Sequence, residues 1–174
     1  MSYADLPRVP SFNLTSGSLR DGDALRSPQT SKRFGVAGGK DESPQLSWNG
    51  APEGTKGYVV TVFDPDAPRA GGYWHWAVVD VPVTTDSLPA GAGVEGGSHL
   101  PGGALQLKND AGFPGYLGAA PPPGHGPHRY VVAVHAVDVD ELGLDAGAST
   151  EALVRKLVSH TLARAVITGH FERH

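Results

Sequence analysis

Cysteine is absent from the 174 residues, which excludes disulfide staples, thiol nucleophiles and zinc sites built on thiolates. Long apolar runs are absent too, and no stretch approaches the roughly 20 residues that a membrane-spanning helix needs. Basic clusters are missing: 14 Lys and Arg lie scattered among 18 Asp and Glu for a net charge of −4, so nothing supports electrostatic docking on nucleic acid or an anionic membrane. The opening Met1-Ser-Tyr-Ala-Asp-Leu6 has neither a basic nor an apolar targeting region, and a cytoplasmic location is expected. No G-x-x-x-x-G-K-[ST] loop occurs. The lone G-x-G-x-x-G, Gly91–Gly96, follows Pro89 and precedes another glycine-rich run, whereas a dinucleotide fingerprint needs a strand before it and a helix after. G-x-S-x-G is absent, and the adjacent Ser98 and His99 read as a polar turn rather than parts of a triad. No catalytic residue, cofactor or metal is assigned, and the chain is not expected to be an enzyme.

Glycine and proline, by contrast, make up more than a fifth of the chain, yet three tryptophans and several Val-rich runs require a packed core. The reading is one mainly β domain over residues 1–174. Its organising stretch is Val62-Phe-Asp-Pro-Asp-Ala-Pro68 followed by Tyr73-Trp-His-Trp-Ala-Val-Val79. Proline restricts both its own φ and the residue before it, so Asp64–Pro68 is a stiff corner between two strands. Gly57–Phe63 is apolar almost throughout and suits a strand buried on both faces. Simple alternation in the next strand puts Trp74, Trp76 and Val78 on one face and His75, Ala77 and Val79 on the other. Val9–Leu14 reads as an edge strand and Ser43–Trp48 as a short strand, while Gly17–Gly39 is polar and rich in turn residues. About two fifths of residues 82–127 are glycine or proline, which predicts a long functional connection with no regular helix or long strand. It runs into the strand Val131–Val137. The main helix is predicted within 149–168, capped by Ser149 or Thr150, with a stripe through Leu153, Val154, Leu157, Val158, Leu162, Ala165 and Val166, and Gly169 as its stop.

If the strands flanking the corner pair antiparallel, Asp64 and His75 meet at one sheet end, and the proline-rich connection delivers His128 and Tyr130 to the same place. Asp64 is expected to hold His75, leaving imidazole N–H groups, the Tyr130 hydroxyl and loop amides to form a small anion site. Two alternatives stay open from the residues alone. Asp64 and the histidines could serve only to pin loops, or His125-x-x-His128 with His75 and Asp64 could ligate a metal. His135, inside an apolar strand, reads as a satisfied core histidine.

Two blocks carry a family resemblance. The first is Asp64-Pro-Asp-Ala-Pro68 with His75-Trp76; the second runs from Gly115-Tyr-Leu-Gly118 through Pro121-Pro122 and Gly124 to His128-Arg-Tyr130. Ser43-Pro44, Leu46-Ser-Trp48 and Asn109-Asp110 fit as well, so the similarity covers roughly residues 40 to 138. The chain resembles the phosphatidylethanolamine-binding protein family, also called Raf kinase inhibitor-like proteins, and most closely its bacterial branch. The resemblance implies an antiparallel, Greek-key-like β-sandwich with a C-terminal helix and a small pocket for phosphate or phosphorylethanolamine-like groups. Its ligand-binding residues would be Asp64, His75, Gly118, Ala120, Pro121, Pro122, His128 and Tyr130, with Asp66, Pro68 and Trp76 in support. Ala120 stands where many relatives have glycine. Ala67-Pro68 is expected to be cis. The implied function is anion or lipid-headgroup binding with a role in regulating kinases or other signalling; the alternative is inhibition of a macromolecule such as a serine protease. A protein partner, kinase or protease, and a homodimer are compatible with either.

Overall fold

A computed structural model describes residues 1–174. In chain order its strands are β1 (Asn13–Thr15), β2 (Leu46–Asn49), β3 (Gly57–Asp64), β4 (Tyr73–Pro82), β5 (Ser87–Leu88), β6 (Leu105–Gln106), β7 (His128–Val137) and β8 (Thr161–Phe171), with α1 (Thr150–His160) between the last two. All pairings between these strands are antiparallel, in a small sheet ordered β1-β2-β5 and a large one ordered β6-β4-β3-β7-β8. No helix is long and apolar enough to cross a membrane.

Every residue of β3 is buried because the large sheet is covered on both faces. Tyr58, Val60 and Val62 join Leu46, Trp48 and Leu88 in a core between the sheets. Val59 and Phe63 point the other way, where Leu153, Val154 and Leu157 of α1 close a second core. This two-sided cover explains the near-continuous apolar character of the strand.

Strand β4 departs from simple alternation. Val62 lies opposite Trp76 and Phe63 opposite Trp74, so His75 is an extra, bulged residue. Trp74 consequently packs on the helix side with Ala77 and Val79, while Trp76 and Val78 face the small sheet. The expectation of Trp74, Trp76 and Val78 on one face is thus corrected: a bulge inserts one residue and re-aims the side chains beyond it. A second register shift lies between Val60 and Tyr58, near Asp80, whose φ of 58° is in the left-handed region.

The helical stripe also ends earlier than its periodicity suggests. Ser149 caps α1 by accepting the Ala152 N–H at 3.1 Å, but the chain turns extended at Thr161 and pairs with β7 along its whole length. Ala163, Ala165, Ile167 and Gly169 are buried in alternation. Leu162, Ala165 and Val166 therefore belong to a strand, and Gly169 is no helix stop: a Cβ there would lie 2.7 Å from the Leu25 Cδ2. The open edge of β7 offers a ladder of hydrogen bonds, and Thr161, Val166, Ile167 and Thr168 are β-branched, so pairing overrides the weak helical pattern.

The Ala67–Pro68 bond is trans, as are all others in the chain, against the expected cis form. Reversal between β3 and β4 is accomplished instead by Gly71 and Gly72 at φ 81° and 74°, values glycine adopts without steric penalty.

Candidate functional site: a pocket at the strand ends

Because β4 and β7 both run antiparallel to β3, the last residue of β3 and the first residues of its neighbours share one end of the sheet. A cavity of about 250 Å³ opens there, and its wall includes Asp64, His75, Gly118, Ala120, Pro121, Pro122, His128 and Tyr130, together with Pro68. Two expected supporting residues stand outside it. Asp66 takes Arg129 Nε and Nη2 at 2.9 and 2.8 Å, plus the Arg129 N–H at 2.8 Å, and this guanidinium lowers its carboxyl from the usual 3.8 to about 2. Trp76 lies in the core and donates its indole N–H to Gln106 at 2.7 Å.

Asp64 is buried and has both oxygens engaged. Oδ1 accepts the Asp66 N–H at 2.7 Å, a local turn that holds the acidic corner. Oδ2 accepts the Nδ1–H of His128, also at 2.7 Å. The expected Asp64–His75 pair is therefore replaced by Asp64–His128. His75, turned by its bulge, donates its Nδ1–H to the Leu117 carbonyl at 2.7 Å, while the Leu117 N–H returns to the His75 carbonyl at 2.9 Å. That bond fixes the tautomer, so the neutral ring carries its lone pair on Nε2. Burial pushes the His75 imidazole below its usual pKa, opposed by the Leu117 carbonyl and the Asp64 charge. The ring stands edge-on to Tyr130 with centroids 5.2 Å apart. Burial, and then Asp64, raises the Tyr130 phenol, which stays protonated and able to donate.

The other nitrogen of His128 meets His125 Nδ1 at 2.6 Å. His128 is thus held from both sides, and the His-x-x-His spacing makes an imidazole pair. His135 is buried as expected, receiving the Arg164 Nε–H at 2.9 Å and contacting the Thr61 hydroxyl at 2.8 Å.

Several wall residues were not legible in the sequence. Arg69 sits 3.9 Å from an Asp110 oxygen and 5.4 Å from the Tyr73 ring centroid; it is the one guanidinium on the cavity wall. Its position directly after the acidic corner was the available signal. Tyr73, Leu117 and Phe34 also line the cavity. Phe34 comes from the polar 17–39 stretch, which folds back so that the Ala119 N–H and carbonyl bond Gln29 and Ser31. Gly118 donates its N–H to Asp41 at 2.8 Å. Arg173 holds the rim by donating Nε to the Pro121 carbonyl at 2.9 Å. Phe171 does not line this cavity and instead lines a neighbouring cleft that shares His128 with it. Within Gly91–Gly96, Gly93 serves packing, since a Cβ there would stand 2.5 Å from that of Tyr116.

Comparison with known proteins agrees with this architecture. The chain is 45% identical to Escherichia coli YbhB over 160 residues, 92% of this chain and 99% of that one. To E. coli YbcL it is 41% identical over 165 residues, covering 95% and 90% respectively. The crystal structure of YbcL, described as a new member of the mammalian PEBP family, superposes with a TM-score of 0.90 at 40% identity, covering 94% of this chain and 99% of that one. A carboxypeptidase Y inhibitor solved with its cognate proteinase shares the fold at 17% identity and a TM-score of 0.51, over 95% of this chain and 85% of that one. The phosphatidylethanolamine-binding protein profile matches residues 15–172, and with both sequence blocks at one pocket of this fold, the chain belongs to that family.

Proposed function

We propose that the pocket receives a small phosphoryl anion of headgroup size, such as phosphate or phosphorylethanolamine, and that the protein is a binding module rather than an enzyme. The observation that carries this reading is the polar trio lining the cavity: the His75 Nε2, which makes no hydrogen bond within the protein, the Tyr130 phenol, whose ring lies 5.2 Å from that of His75, and the Arg69 guanidinium. At about 250 Å³ the cavity falls just below the ~300–1,000 Å³ common for ligand sites, which favours a headgroup over a whole lipid. Its wall offers no serine, threonine, cysteine or lysine as a nucleophile.

The neutral His75 ring supplies an acceptor, not the expected N–H. One proton must therefore bridge Nε2 and a phosphoryl oxygen, whether ring or ligand brings it. Binding is then strongest at mildly acidic pH and weakens as that proton is lost. Calorimetric titration with phosphorylethanolamine and phosphate from pH 5.5 to 8.5 tests this. Arg69→Ala should weaken binding about 10- to 100-fold, the scale of a charge-assisted hydrogen bond. Undiminished affinity in both Arg69→Ala and His75→Ala would place any anion site elsewhere. Turnover of esters that vanishes in His128→Ala would overturn the non-enzymatic reading.

Regulation of a kinase or other signalling, in the cytoplasm, would follow if ligand occupancy altered the rim. A second reading, inhibition of a macromolecular partner such as a serine protease, draws on the carboxypeptidase Y inhibitor, with which the likeness at 17% identity is one of fold. Loss of protease activity on titration with this protein would favour it.

A further inference from the structure

Asp64, His128 and His125 form an unbroken row from the cavity wall to the surface, with contacts of 2.7 and 2.6 Å. Asp64 and His128 are buried, whereas His125 is exposed. The chemistry of this row is constrained. His128 must keep a proton on Nδ1 to donate to Asp64, so its Nε2 either accepts from His125 or, once protonated, donates to it. In either case a single proton lies between the rings. The pair can hold one added charge without losing its contact, but a second would set two N–H groups face to face. With both rings neutral the row carries the charge of Asp64; with one extra proton it is neutral overall.

We propose that His125 is a positioning residue of the anion pocket: paired with His128, it lets the two rings take up one extra proton, and that proton cancels the Asp64 charge on the wall where the anion binds. The inference rests on the phosphoryl-anion reading for its consequence, though not for its proton chemistry. A pocket wall bearing an uncompensated carboxylate repels an anion, and loading the pair from solvent removes the repulsion. Other charged groups face the row without interrupting it. On the outer side these are Asp66, already paired with Arg129, and His170, Glu172 and His174, which line the cleft beside His125. On the inner side His75 and Tyr130 share the cavity wall with Asp64, and Arg69 completes its charges.

Two measurements decide the matter. In the ligand-free wild type, the ring nitrogens of His125 and His128 followed by nitrogen-15 NMR should report one shared protonation event. Two independent titrations would overturn the proposal whether or not any anion binds. Calorimetry with inorganic phosphate in buffers of different ionisation enthalpy then counts the protons taken up on binding. His125→Phe removes the partner nitrogen from an exposed loop position and should lower the uptake above neutral pH by about one proton, flattening the dependence of log Kd on pH by about one unit per pH unit. His125→Asn, whose amide oxygen can accept the N–H of protonated His128, should recover most of the wild-type profile. An identical pH profile in wild type and His125→Phe overturns the inference. Failure of phosphate to bind any variant refutes the proposed function alone, and the NMR titration still decides the proton pairing.

Discussion

At Gly118 a Cβ would overlap the Thr30 carbonyl group, against backbone that cannot swing aside as a flexible side chain can. Gly118→Ala should therefore force the 27–42 segment off the pocket. The expected cost is about 1–3 kcal/mol, the usual scale of overpacking, read as a lower urea midpoint at unchanged m-value. This residue shows what was legible from its setting in the second block and what was not. Its place at the pocket followed from the family resemblance, but the reason for glycine, contact with Thr30, lies 88 positions away in the chain. Asp64 teaches the same lesson with a different outcome. Its position at the sheet end follows from strand order, whereas its partner was decided by the bulge that turns His75 toward Leu117.

Among the elements, α1 and β8 divide a stretch that reads as one helix. Carbon-13 shifts should be helical over Thr150–His160 and extended over Thr161–Phe171; helical shifts through Val166 would contradict the pairing of β7 with β8. Ile167, 4% exposed and in the core between the sheets, should cost about 2–5 kcal/mol on replacement by alanine. Val166, exposed on the same strand, should tolerate the change within about 0.5 kcal/mol. On a continued helix, by contrast, Val166 would fall on the buried stripe and its loss would be costly. Ser149→Ala should remove about 1 kcal/mol through the lost cap.

For the molecule as a whole, stability should depend on pH through two buried imidazoles. Burial lowers the pKa of His75, and lowers that of His135 well below its usual value, with the Arg164 charge adding to the effect. The unfolded chain takes up these protons as pH falls through about 6.5 while the folded chain does not, so stability is intact above that value and declines below it. Each histidine contributes at most about 1.4 kcal/mol per pH unit, until the pH reaches its own folded-state pKa. Urea midpoints between pH 7.5 and 5 measure the slope, and His135→Gln should remove the share of that residue. A slope unchanged in the variant would mean that His135 takes up its proton in the folded state. Asp66 acts lower on the scale: its stabilisation is present above about 3.8 and is lost as pH falls toward about 2. Its exposure keeps that share small.

The sequence by itself determined the class of the fold and the strand ends that make the pocket. Those features arise from local causes: apolar runs long enough for strands, prolines that stiffen the acidic corner, and glycines that interrupt residues 82–127. The tertiary structure alone decided the bulge at His75, the handover from helix to strand at Thr161 and the pairing of Asp64 with His128 rather than His75. It also brought Phe34 and Asp41 against the 117–120 segment. Each of these depends on which backbone or side-chain group is left unpaired once the sheets are assembled. Hydrogen bonding between distant segments leaves no periodic trace in either of them, because the partner that satisfies a buried polar group is chosen by proximity in the folded chain.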